Sequence, residues 1–92
     1  MAVILKQITI GAAATQFSAT SVPCRQIIIQ NNAAHTMTIG DSTVTATNGI
    51  RIAAGPAGGS INSGPVAVYA TNLFDWWVAG TQNDIVDVLY VS

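Results

Sequence analysis

No window of this chain carries the spacing of an amphipathic helix. Short runs of β-branched residues recur instead, each broken by Gly, Pro, Asn or Asp. A chain written this way is restricted to strands and tight connections. Strands are expected at Val3–Ile10, Cys24–Gln30, Thr36–Ile39, Thr43–Thr47, Ile50–Ala53, Val66–Ala70, Asp75–Ala79 and Ile85–Val91. Weaker ones are expected at Gln16–Ala19 and around Ser60–Asn62. Asn48-Gly49, set between two alternating runs, is a strong hairpin signal because both residues tolerate positive φ. The segment AGPAGGSINSGP, residues 54–65, reads as a plain connection, having neither the Gly-Lys-Ser/Thr end of a phosphate loop nor a helix to follow. About eight short strands in 92 residues imply a two-layered or closed antiparallel structure. The expected fold is all-β: a small antiparallel β-sandwich of jelly-roll type, forming one domain over residues 1–92.

Alternation along the strands then asks what covers each face. In CRQIIIQ, Cys24, Gln26, Ile28 and Gln30 share one face, and Arg25, Ile27 and Ile29 share the other. In the last strand, Ile85, Leu89 and Val91 oppose Val86, Val88 and Tyr90. Both faces of both strands are largely apolar, whereas a two-layer sandwich needs only one apolar face per strand. In LFDWWV, residues 73–78, Phe74, Trp76 and Val78 point one way and are expected in the core. Asp75 and Trp77 point the other way. The candidate contact residues are Trp77, Tyr90, Val86, Val88, Ile27 and Ile29. Trp77 suits a protein interface best, with core packing and sugar stacking as its alternatives.

Charge supports the same reading. Half of the residues are hydrophobic and only 8% are charged, against roughly 25% in an average soluble domain. Spread over about 5,000 Å² of monomer surface, seven charged side chains average about one per 700 Å². With a formal net charge of −1, such a surface provides little colloidal repulsion. Cover by other protein answers that shortage, so an assembly subunit is expected. Three cations without a cluster cannot neutralise the several phosphates that nucleic-acid binding requires. No membrane segment is expected either, since MAVILKQITIG lacks a cationic leader and Lys6 interrupts its apolar run.

Candidate chemistry is sparse. Gly40-Asp41-Ser42 looks like the nucleophile block of a small esterase, but the single histidine, His35, lies upstream on a neighbouring strand. Asp41 and Ser42 more naturally supply turn chemistry. Metal ligands are too dispersed for a site, and Asp84 and Asp87 could at most contribute to a loop-bound calcium ion. Cys24, the only cysteine, reads as a small buried apolar residue. No catalytic residue, cofactor or metal is assigned.

Two stretches carry a family resemblance. VPCRQIIIQNNAAHTMTIGDSTVTATNGIRIAAG (residues 22–55) runs from a Pro-Cys-basic strand opening through an asparagine-rich turn into Gly-Asp-Ser, an Asn-Gly-Ile turn and a glycine-rich loop. LFDWWVAGTQNDIVDVLYV (residues 73–91) adds an aromatic strand, a Gly-Thr turn and a final apolar strand. Their succession resembles small phage virion proteins, namely capsid decoration (cement) proteins and related head and tail components. The resemblance implies a compact β-sandwich present in many copies, without catalysis or cofactor. It implies the major capsid protein or other virion subunits as partners, homo-oligomerisation with a trimer favoured, and a place on the capsid surface after assembly in the host cytoplasm. A minor tail or head-fibre component, or a jelly-roll carbohydrate-binding adhesion module, are the alternatives. Many decoration proteins carry an N-terminal arm, whereas here MAVILKQITI is expected to be a strand.

Overall fold

The computed structural model describes residues 2–53 and 66–92. Among these residues, eight strands follow in chain order: β1 (Val3–Thr9), β2 (Thr15–Gln16), β3 (Pro23–Asn31), β4 (Met37–Gly40), β5 (Ile50–Ile52), β6 (Val66–Asn72), β7 (Trp77–Ala79) and β8 (Ile85–Val91). A 3-10 turn, Leu73–Asp75, leads into β7. The expected loop over residues 54–65 and the weak strand at Ser60–Asn62 lie outside the described residues.

The strands form two four-stranded antiparallel sheets, with orders β1-β8-β3-β6 and β2-β7-β4-β5. Strands equally far from the two ends of the series pair with one another: β1 with β8, β2 with β7, β3 with β6 and β4 with β5. Pairings of β3 with β8 and of β4 with β7 complete each sheet. Pro23 stands at the first position of β3, where its missing N–H costs least.

Both sheets contribute to one hydrophobic core. Ile8, Ile27, Ile29, Val86 and Val88 come from the first sheet, Met37, Ile39, Ile52 and Val78 from the second. Cys24 of β3 and, from the connections, Ile10, Phe17 and Leu73 complete it. Removing each such side chain from water contributes about 1.5–3 kcal/mol. One buried polar side chain ties the layers together. Asn31, at the end of β3, donates from Nδ2 to the carbonyls of His35 (2.8 Å), Ile52 (3.3 Å) and Ala53 (2.9 Å), and its Oδ1 accepts from the Ala33 N–H (2.9 Å). A buried amide this fully partnered carries no desolvation debt.

Two expectations are corrected. Thr43–Thr47 is not a strand. β5 pairs directly with β4, and residues 41–49 form the connection between them, with only an isolated bridge between Thr45 and Asn48. The tight corner therefore falls at Ala46-Thr47 rather than at Asn48-Gly49. Gly49 (φ 143°) instead lets the backbone pass close to β4: a Cβ there would lie 2.5 Å from Thr38 Cγ2 and 2.7 Å from the Ile39 carbonyl oxygen. Side-chain packing against the facing strand outweighs the local turn signal here.

The second correction concerns LFDWWV. β7 begins only at Trp77, because Asn72 caps the 3-10 turn by accepting from the Phe74 N–H (3.0 Å). The turn breaks the period-two alternation. Leu73 takes the core position at 1% exposure, and Phe74 is turned out to 46%. Trp76 remains half-buried against the core, its Nε1 donating to Thr71 Oγ1 at 2.8 Å.

Candidate functional site

Register places the residues of the first sheet in rungs that cross all four strands. Ile4, Tyr90, Ile27 and Val68 form one rung, and Lys6, Val88, Ile29 and Val66 another. These rungs face the second sheet. Ile27, Ile29, Val86 and Val88 are 0% exposed, and Tyr90 packs half-buried against the core. Four of the six expected contact residues are thus interior, and Tyr90 belongs to the same side. They cannot meet a partner, because they already fill the space between the sheets.

The alternate rungs face outward. One is Val3, Val91, Gln26 and Tyr69; the next is Leu5, Leu89, Ile28 and Ala67; the third is Gln7, Asp87 and Gln30. Val3, Leu5 and Tyr69 are 66%, 67% and 71% exposed, Ala67 is exposed, and Ile28, Leu89 and Val91 are half-buried. Seven of the eight side chains in the first two rungs are therefore hydrophobic, and they adjoin without interruption except at Gln26. Strand spacing of about 4.8 Å and a rise of about 3.3 Å per residue give these two rungs a plan of roughly 19 × 13 Å, or about 250 Å². The polar rung closes one end. There Asp87 carries an Oδ1 that is closed off from solvent and has no hydrogen-bond partner among the described residues. Arg25 is exposed on β3 but alternates with Ile27 and Ile29, so it does not belong to this face.

In β8 the charged Asp87 shares parity with the outward Leu89 and Val91, but in β3 both parities carry polar residues, Gln26 and Gln30 on one and Arg25 and Asn31 on the other, so the sequence did not rank the faces.

A second surface lies on the opposite sheet. Trp77 is half-buried on the outer side of β7, beside Gln16 of β2. With exposed Phe74 it lines an open depression of about 430 Å³, together with Gln16, Asp41, Ser42 and Asp75. Gln16 Nε2 is held by the Phe74 carbonyl at 2.7 Å. Asp41 Oδ1 accepts from the N–H (2.9 Å) and hydroxyl (2.5 Å) of Thr43, which hold its carboxyl below the usual carboxylate range. Tyr69 stands on the other sheet, so it forms no common platform with Trp77.

The esterase-like block has turn geometry. His35 and Ser42 lie beyond opposite ends of β4, and His35 Nδ1 bonds Asp84 Oδ2 at 2.8 Å instead. Among the described residues, no group of three or more His, Cys, Asp or Glu side chains converges as metal ligands would. Cys24 is buried, with Sγ 3.6 Å from the Thr71 carbonyl oxygen, and burial pushes its thiol pKa up. No helix among the described residues is long and apolar enough to cross a membrane. Comparison of the chain with protein-family models, with curated proteins and with solved structures returned no match.

Proposed function

We propose that this chain is a structural subunit of a phage virion, a capsid decoration or cement protein that stabilises the shell by bridging neighbouring subunits. A bridge needs two contact surfaces. What supports the reading is the presence of two on opposite sheets: the apolar outer face of β1-β8-β3-β6, and the Phe74–Trp77 depression on β2-β7-β4-β5. The scarcity of charge fits surfaces meant for cover rather than water. The nested pairing of strands, each with its counterpart from the other end, is the order produced by folding a long antiparallel ribbon over on itself, and on that ground we assign the sandwich to the jelly-roll type. Burial of about 1,000 Å² per copy, some 55–60% of it apolar, is an ordinary interface scale. Repeated over many copies, it would resist internal genome pressure. The test is to strip the protein from assembled particles and heat them. Genome release at a lower temperature supports the role, and unchanged release counts against it.

A second reading rests on the depression alone. A half-exposed indole beside Phe74, Asp41, Asp75 and Gln16 offers a stacking ring and hydroxyl acceptors, the chemistry of a carbohydrate-binding module. Saccharide-dependent change in tryptophan fluorescence, lost in Trp77→Ala, would favour it over the shell contact.

A further inference from the structure

The Phe74–Trp77 depression sets an electrostatic condition on whatever covers it. We propose that its occupant is the guanidinium of an arginine presented by a partner subunit, seated at Asp41 and Asp75 and against the aromatic rings beside them. The inference rests on the structural-subunit reading and names the chemistry that the partner must bring to this surface.

Two carboxylates converge here from distant parts of the chain. Asp41 follows β4, and its Oδ1 is held by the N–H and hydroxyl of Thr43. Asp75 ends the 3-10 turn that Asn72 caps, and the Trp76 N–H closes that turn on the Leu73 carbonyl at 3.2 Å. Both carboxylates line the depression that holds Phe74 and Trp77. Both also line a neighbouring one of about 340 Å³, together with Trp76 and Ile50. Each acid is therefore shared by two surfaces that are otherwise largely aromatic and apolar.

Among the described residues, no cationic side chain lines either depression, and neither Asp makes an ion pair. Lys6 and Arg25 belong to the other sheet. Solvent can hydrate both charges while the surface is open. A partner that buries Phe74 and Trp77 takes the same two carboxylates out of water, which is strongly unfavourable unless each gains a cation or a donor. The partner must then supply positive charge.

The hydrogen-bond inventory selects which cation. The ionised Asp side chains only accept. Trp76 already gives its Nε1 hydrogen to Thr71 Oγ1 at 2.8 Å. Gln16 holds the Phe74 carbonyl through Nε2 at 2.7 Å, which leaves its Oε1 to accept. A sugar hydroxyl both donates and accepts, whereas a guanidinium offers five donors and no acceptor, so an acceptor-rich lining suits the guanidinium better. Arginine also stacks on aromatic faces and is more weakly hydrated than an ammonium. With tryptophan, it is among the side chains enriched at the centres of protein interfaces.

The experiment titrates the full chain with acetyl-arginine methylamide and follows the indole N–H signals by NMR. The Trp77 signal is assigned by its loss in Trp77→Ala, and circular dichroism checks the fold of each variant. The neutral isostere acetyl-citrulline methylamide and the lysine analogue serve as controls. Arginine should shift the Trp77 signal with saturation in the millimolar range, and citrulline should bind at least about tenfold more weakly. Asp41→Asn, which keeps an oxygen for Thr43, and Asp75→Asn should each weaken arginine binding, as should Phe74→Ala. The absence of a saturable shift, equal responses to arginine and citrulline, or a shift that survives both Asp substitutions together would overturn the inference. A response to lysine as strong as that to arginine would overturn the choice of guanidinium. A saccharide that shifts the signal where arginine does not would overturn it in favour of carbohydrate. No particle enters this titration, so its failure leaves the shell-heating result standing, and unchanged genome release would leave arginine binding standing.

Discussion

The side-chain amide of Asn31, wholly buried at the end of β3, donates to the Ala53 carbonyl beyond β5 at 2.9 Å and so joins the two sheets. Its other contacts, to His35, Ile52 and Ala33, gather the β3–β4 connection around the same point. Asn31→Ala removes every one of these partners at once. The bond to Ile52 is buried and the other three are part-buried, so leaving these groups unpaired should cost about 1–3 kcal/mol in urea unfolding. Asn31→Asp should be worse at neutral pH, where a carboxylate would face three carbonyl oxygens, and partly recover in acid, where the protonated group can donate. A pH-independent loss would show that these hydrogen bonds are not the reason.

Leu73 and Phe74 are neighbours with opposite fates. Leu73→Ala empties a core site and should cost about 2–5 kcal/mol. Phe74→Ala, at an exposed site, should stay within about 0.5 kcal/mol. Equal losses at the two positions would contradict the 3-10 turn that separates them.

Gly49→Ala should destabilise by more than about 2 kcal/mol, because the new Cβ meets Thr38 and Ile39 while the residue is held at a φ that L side chains disfavour. Asn48→Ala, next to it, should be mild. Thermal unfolding of the pair gives the comparison.

Asp41 has a folded-state pKa below its ordinary 3.8, first because the Thr43 hydroxyl and then because the Thr43 N–H favours the carboxylate. A depressed carboxyl contributes stability that is present above the unfolded value and is lost as pH falls through the folded one. The difference in stability between the parent and Asp41→Asn should therefore be constant above about pH 5 and shrink below pH 3.8. A difference that persists unchanged in acid would place the effect outside the carboxylate.

Cys24 shifts in the other sense: burial raises its pKa above 9.0. The unfolded thiol ionises first, so stability is unaffected below pH 9.0 and declines as pH rises above it. Cys24→Ala should not show that alkaline decline. In the native protein at neutral pH, the thiol should react with a disulfide reagent only as fast as the fold opens.

Much of the fold could be read from residue order. The runs in β1, β3, β6 and β8 are rich in Val, Ile and Thr, and Pro, Gly and Asn bound them, so the identity of these elements depends on local chemistry. The misses occur where tertiary contact overrides a local preference. Thr43–Thr47 alternates well enough for a strand, yet β4 has only two sides, and β7 and β5 occupy them. Phe74 is apolar, but Asn72 closes a turn that points it into water.

What the sequence determined by itself was that both faces of β3 and β8 are apolar and that few charges remain to wet the molecule. Which face is inside was decided by tertiary structure. Ile27, Ile29, Val86 and Val88 meet Ile39 and Val78 of the other sheet, while Ile28, Leu89 and Val91 face outward beside Asp87. The physical reason is that period-two alternation assigns residues to faces but cannot rank the faces. The ranking follows from which face meets the second sheet, and those rungs exist only once β1, β8 and β3 are in register.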